Sequence, residues 1–232
     1  MEVGYVLHKR RYQETSLIVQ LLTRGGGRVA CVAKGALRKK SKLGGVLEPL
    51  CLLHLETRGK SSLSTLTSAE VSYRHPILTD ERLYAVFYLN ELIMKLTAVN
   101  DILPNLFECY GHSIENLASE KDIQPVLRYF EVNLLKVLGF GLNLISDCKS
   151  GEDIIAENQY TYDVERGAVR TNSEIDSIKG STLLSLAGGR TYQEVEAVEA
   201  KRLMRRIIQH YLGDRKIESR ELFRSRSRKV KV

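Results

Sequence analysis

The residues with the clearest chemical purpose are cationic. The stretch VAKGALRKKSKLGG, residues 32–45, sets Lys34, Arg38, Lys39, Lys40 and Lys42 among glycines and small side chains, with no acid between them. Such a loop suits a polyanion. Lysine and arginine neutralise phosphates and release condensed counterions, and glycine lets a backbone come close to what it binds. A solvated basic turn has the same composition, since lysine is normally a surface residue. The wider charge distribution favours an anionic partner. Residues 1–45 hold ten Lys/Arg against two Asp/Glu, and residues 215–232 hold eight against two. Residues 46–214 are net acidic, with seventeen basic and twenty-four acidic side chains. A chain of net charge +7 with its basicity at both ends draws nucleic acid there.

Enzymatic motifs are weaker. Arg58, Gly59, Lys60 and Ser61 contain a Gly-Lys-Ser, but His54 stands where a phosphate loop needs its first glycine, so no backbone cradle is expected. Glu199 and Lys201 form the Glu-x-Lys that some metal-dependent nucleases use, here inside an amphipathic helical pattern and without an acidic partner on a preceding strand. The histidines (His8, His54, His75, His112 and His210) are scattered, without ligand or triad spacing. Cys31, Cys51, Cys109 and Cys148 form no Cys-x-x-Cys pair, which argues against a zinc ribbon and a disulfide framework.

Arg128 lies in PVLRYFE beside Leu127, Phe130 and Leu134. An arginine at the rim of an apolar groove grips a carboxylate while the groove takes side chains. An arginine laid over its own core has the same local pattern. The sequence leaves both open.

The elements that must position these residues fall into two kinds. Through residue 78, five short runs with partial alternation (EVGYVLHKR, SLIVQLLT, RVACVAKG, LEPLCLLHLE and SLSTLTSAEV) are separated by glycine-rich turns. Five such strands predict a five-stranded OB-fold barrel. From Thr79 the period becomes helical. TDERLYAVFYLNELIMKL begins at a Thr/Asp cap, ILPNLFECYGHSIENLA follows, and QPVLRYFEVNLLKVLG runs from Pro125 to Gly139. Residues 141–178 lose the period and form an irregular insert, with a β-hairpin near YTYDVERGAVRT. STLLSLA is helical again. A last helix starts at Thr191 in a capping box with Glu194 and ends at Gly213. The fold class is therefore α+β. The boundaries are 1–78 for the barrel, 79–215 for the helical domain with its insert, and 216–232 for a basic mobile tail. With no long apolar run and no leader pattern, the expected location is the cytoplasm, near the nucleoid, with no membrane partner.

In order, VLHKRRYQETSLIVQLLT, GRVACVAKGALRKKS, GGVLEPL, LTSAEV, YLNEL, LRYFEVNLLKVLGFG and YLGDRKIESRELFR make the chain resemble the RecO family of bacterial recombination mediators, from residue 4 to about 224. The resemblance implies an OB domain followed by a helical domain. It implies binding of single- and double-stranded DNA, annealing of complementary strands, and action with RecR. It further implies docking on the acidic C-terminal tail of the single-stranded-DNA-binding protein, and indirect help in loading RecA onto coated strands. No catalytic residue and no cofactor is implied.

By the same resemblance, Lys34, Arg38 and Lys39 are the first candidates for phosphate contact, followed by Lys40, Lys42, Arg10 and Arg11. Arg128 matches the helix arginine implicated in holding the partner's terminal carboxylate, with Leu127, Phe130, Leu134 and Leu135 as groove candidates. The loop at 34–42 and the tail at 220–231 would be two separate cationic surfaces. Many family members carry a four-cysteine zinc module in the insert. Here the insert keeps only Cys148, and one thiolate cannot make a tetrahedral sulfur site, so no structural zinc is expected. The enzyme alternative is a metal-dependent nuclease acting on DNA through Glu199.

Overall fold

A computed structural model describes residues 2–59, 63–173, 175–189 and 192–223. Five strands come first: β1 (Glu2–Tyr12), β2 (Ser16–Thr23), β3 (Gly27–Ala33), β4 (Cys51–Arg58) and β5 (Ser64–Arg74). They close into a barrel in the order β1-β2-β3-β5-β4. All neighbours are antiparallel except β3 and β5, a short parallel pair through Cys31 with Ser64 and Val32 with Thr65. Closure leaves no long free edge. Alternate residues of the strands (Val6, Leu17, Val19, Leu21, Cys31, Leu53, Leu55 and Leu66 among them) fill the interior. The sequence run for β4 began at Leu47, but the strand starts at Cys51. Pro49 offers no N–H to a ladder, and Leu50 takes a positive φ of 66°.

Helices α1 (Asp80–Leu96), α2 (Leu106–Ser119) and α3 (Ile123–Val137) follow. Asp122 caps α3 by accepting from the Gln124 N–H at 2.9 Å. Gly139, at φ 84°, turns the chain after it. Packing divides the chain into two compact units: residues 2–119 with 217–223, and Glu120–Lys216. The boundary drawn at 78 and 79 separates strands from helices, whereas packing groups α1 and α2 with the barrel.

In the second unit, β6 (Gln159–Asp163), β7 (Gly167–Thr171) and β8 (Ile178–Lys179) form a sheet in the order β7-β6-β8, followed by α4 (Gly180–Gly188) and α5 (Glu194–Leu212). The hairpin lies where the sequence placed it. The start of α5 differs. Its N-cap is Gln193, whose N–H donates to Glu196 at 3.1 Å; Thr191 lies outside the described residues. The turn holding Cys148 is tied by Asp147, which accepts from the backbone N–H groups of Lys149, Ser150 and Arg170. Those bonds hold its carboxyl below the usual aspartate range.

The C-terminal segment packs back on the first unit through residue 223. Ile217 and Ser219 are buried, and residues 219–223 make a helical turn. Residues 224–232, most of the basic stretch, lie outside the described residues. No described helix is long and apolar enough to cross a membrane.

Candidate nucleic-acid interface

The candidate interface includes β1, whose two halves have different partners. Its first half pairs with β4 from Glu2 opposite Leu55 to Tyr5 opposite Leu52. A register shift then falls between Val6 and His8 against β2. Among the described residues, β1 beyond this bulge pairs with β2 alone, through Tyr12 opposite Ser16. The bulge carries a spare backbone acceptor, and the helices satisfy it. Asn90 of α1 donates its Nδ2–H to the Leu7 carbonyl at 2.9 Å. Tyr110 of α2 donates its O–H to Asn90 Oδ1 at 2.7 Å. Burial raises the Tyr110 pKa far above its ordinary value, so the hydroxyl stays a donor. Bulges commonly re-aim a strand, and here the re-aimed half carries Arg10 and Arg11.

The loop after β3 is pinned at both ends. Ala36 and Leu47 enter the barrel core, with Leu43 and Val46 packed against it. Successive turns run from Arg38 N–H to Gly35 O at 3.0 Å and from Ser41 N–H to Arg38 O at 2.9 Å. Leu37 N–H reaches across to Thr15 O at 2.9 Å in the β1–β2 turn. Gly44 crosses so close to this loop that a Cβ there would lie 2.2 Å from the Ala36 carbonyl oxygen. A braced loop holds its cations without a large ordering cost on binding.

All seven sequence candidates are exposed: Lys34, Arg38, Lys39, Lys40 and Lys42 on the loop, Arg10 and Arg11 on β1. None of the seven makes an ion pair among the described residues. Strand register brings the end of β1 beside the start of β2, and the start of β2 beside the end of β3. Two stretches separated by more than twenty residues thus share one end of the barrel. Lys9 is the exception among these cations, held at 2.6 Å by Glu48.

In the second unit the groove candidates need correction. Leu127, Phe130, Leu134 and Leu135 are all core residues. They form the buried face of α3, a helix that packs with α4 and α5. Arg128 is only 4% exposed, and its Nη2 lies 2.7 Å from Glu131 Oε1, itself in a residue 1% exposed. Arg128 Nε and Nη1 have no hydrogen-bond acceptor in the described protein. The exposed groove lies on the other side of α3. It encloses about 450 Å³ between Tyr129, Val132 and Lys136 of the helix, and Leu142, Ile145 and Leu186. Residues 129, 132 and 136 are spaced i, i+3, i+7, the signal that marks this second face.

The candidates for enzyme chemistry are occupied structurally. Glu199 accepts from Thr182 Oγ1 at 2.6 Å and from the Lys179 N–H at 3.1 Å, fastening the start of α4 to α5. Among the described residues, no three His, Cys, Asp or Glu side chains are grouped to hold a metal ion. Gly59 follows β4 rather than preceding a helix; Lys60 and Ser61 lie outside the described residues. Cys31, Cys51 and Cys109 are buried, and burial pushes Cys31 and Cys109 up to about 11. Cys148 alone is exposed. Three buried thiols and one exposed one, with no grouping of ligands among the described residues, do not make a four-sulfur zinc site.

The comparisons agree with this architecture. The family model described as "Recombination protein O N terminal" matches residues 1–74, and "Recombination protein O C terminal" matches residues 80–221. A DNA repair protein RecO of Methylococcus capsulatus is 41% identical over 227 residues, covering 98% of this chain and 94% of the relative. That of Nitrosococcus oceani is 41% identical over 225 residues, covering 96% and 92%. That of Haemophilus influenzae is 38% identical over 224 residues, covering 96% and 95%. Matched by both family models, and about two-fifths identical to these relatives along almost its whole length, the chain belongs to the RecO family.

Proposed function

We propose that this protein is a DNA-binding recombination mediator in DNA repair, and not an enzyme. One observation carries the reading: seven exposed cations, none in an ion pair among the described residues, gather at one end of an OB-type barrel, five of them on a loop pinned into its core. Phosphates of single- or double-stranded DNA contact Lys34, Arg38 and Lys39, with Lys40, Lys42, Arg10 and Arg11 around them. The basic segment at 220–231 is a second cationic element. Holding two strands on one protein turns the search for a complement into a local one, which promotes annealing.

The groove beside α3 receives the acidic C-terminal tail of the single-stranded-DNA-binding protein. Lys136 faces the carboxylates, and Tyr129, Val132 and Ile145 take the apolar side chains. Docking brings the annealing surface to coated strands, and with RecR it assists RecA indirectly. The names of the relatives support a repair role.

The test is a salt titration. Replacing Lys34, Arg38 and Lys39 together by alanine lowers affinity for single strands. It flattens the plot of log affinity against log salt by roughly 2, about 0.7 per lost phosphate contact. Unchanged binding removes the loop from the interface. Annealing of complementary oligonucleotides, with the single-stranded-DNA-binding protein and with its tail-deleted form, tests the docking step. Labelled DNA incubated with magnesium or manganese remains intact; cleavage would establish the nuclease instead.

A further inference from the structure

Tyr12, the last residue of β1, lies at the cationic end of the barrel. It is 36% exposed. Among the described residues its hydroxyl makes no hydrogen bond and its ring meets no other ring. Other tyrosines are engaged. Tyr5 packs against Phe107 and Tyr110, Tyr211 stacks on Phe140 at 4.1 Å, and even the more exposed Tyr73 sets its ring edge-on to His75 at 4.9 Å.

Register places cations beside this ring. Strand side chains alternate, so Arg10 and Tyr12 share one face of β1. Tyr12 lies opposite Ser16, and Leu17 lies opposite Ala33. Lys34 follows Ala33 directly, in the turn that leaves β3 at this same end of the barrel, and it is exposed. Arg10 and Tyr12 share one face, with the small, buried Ser16 paired to Tyr12. Two residues along the strand put Arg10 about 7 Å from Tyr12. Leu37, tethered to Thr15, adds an exposed apolar side chain at the hairpin. Glu14, exposed in the turn, is the acid nearest in sequence to Tyr12.

We infer that Tyr12 is a stacking platform for one unpaired base, flanked by Arg10 and Lys34 on the neighbouring phosphates. This rests on the DNA-binding reading above and adds a preference to it. The loop cations meet phosphate whatever the strand state. An aromatic face meets a base only where the base is unstacked, because a duplex covers both faces of each base with its neighbours. Tyr12 thus favours single strands over duplex, and tolerates sequence because every base has a π-face.

The chain contains no tryptophan, so Tyr12→Trp creates a single fluorescent reporter at this position. Oligo(dT) quenches its emission. An abasic oligonucleotide and a duplex of equal length bind with little quenching. Tyr12→Ala lowers single-strand affinity about tenfold, leaves duplex affinity and the salt slope unchanged, and Tyr12→Phe retains wild-type affinity. Glu14→Gln tightens binding to both forms. If oligo(dT) binds without quenching, or Tyr12→Ala weakens single strands and duplex equally, the stacking role is overturned while the DNA-binding reading stands. If no oligonucleotide binds wild-type protein at low salt, that reading falls and the platform with it.

Discussion

Glu91 of α1 holds Ser219, 128 residues further along the chain. One carboxylate oxygen accepts from the Ser219 N–H at 2.8 Å and from its hydroxyl at 2.6 Å, and the other accepts from the Glu218 N–H at 2.8 Å. A negative group thereby meets the free N–H groups at the start of the 219–223 turn, where a helix end favours anions. Phe223 against Tyr84, and the Arg220 guanidinium 5.7 Å over Tyr88, complete the attachment.

This clasp is pH-dependent. Burial pushes the Glu91 pKa up, but the hydrogen bonds from Ser219, Lys95 and Glu218 outweigh it and hold the carboxyl below the usual glutamate range. A depressed folded-state pKa gives stabilisation that is present above the ordinary value of about 4.3 and is lost as pH falls through the lower folded value. Glu91→Gln melts earlier than wild type at neutral pH, by about 1–3 kcal/mol, and the gap narrows below pH ~4.3. Amide exchange at Glu218 and Ser219 speeds up in the variant. An unchanged gap at low pH would assign the loss to something other than the charge.

Arg128 and Lys136 separate stability from docking. Arg128→Ala breaks the buried ion pair with Glu131 and costs about 3–5 kcal/mol, whereas replacing Arg128 and Glu131 together by Met and Leu costs far less. Lys136→Ala, at an exposed site, leaves the melting temperature unchanged and weakens binding of an acidic tail peptide. Calorimetric melting paired with peptide titration checks both. Weaker peptide binding in a fully stable Arg128→Ala protein would return the clamp to Arg128.

The bulge anchor is a test of packing inside the barrel unit. Asn90→Ala removes the donor to the Leu7 carbonyl and the Asn90 acceptor of the Tyr110 hydroxyl, and costs about 2 kcal/mol. Tyr110→Phe removes one bond and costs about 1 kcal/mol. Urea midpoints measure both. Equal losses would mean that Tyr110, not the Leu7 bond, carries the effect.

Two adjacent glycines test whether the basic loop works through its shape. Gly44→Ala drives a methyl into the Ala36 carbonyl, shifts the loop, and lowers DNA affinity without altering any charge. Gly45→Ala meets nothing within 4 Å and leaves affinity unchanged. Equal affinities in the two variants would show that charge alone suffices.

The insert depends on a carboxylate. Asp147→Ala removes the acceptor of three backbone N–H groups and lowers the melting temperature of the second unit. Cys148→Ser and treatment with a zinc chelator leave it unchanged. Melting curves of the three samples decide between them.

The period of apolar residues and the turn chemistry were enough to determine the elements. Alternation between glycine turns located the five strands, and Gly139 marked the end of α3, which starts at Ile123, two residues before Pro125. The segmental charge identified the loop at 34–42 and placed it at a barrel end, since it directly follows the third strand. Spacing within an element reports which residues share a face, but not which face meets the core. Hence Leu127, Phe130, Leu134 and Leu135 were legible as a stripe but not as the buried one, and Arg128 left two readings open. The pairing of Asn90 with Leu7 and of Glu91 with Ser219, and the gathering of Arg10 and Arg11 with the loop after β3 at one barrel end, join residues distant in sequence. No local pattern encodes them. They were decided by tertiary structure, because a buried polar group takes whatever partner the packed chain brings within hydrogen-bond reach.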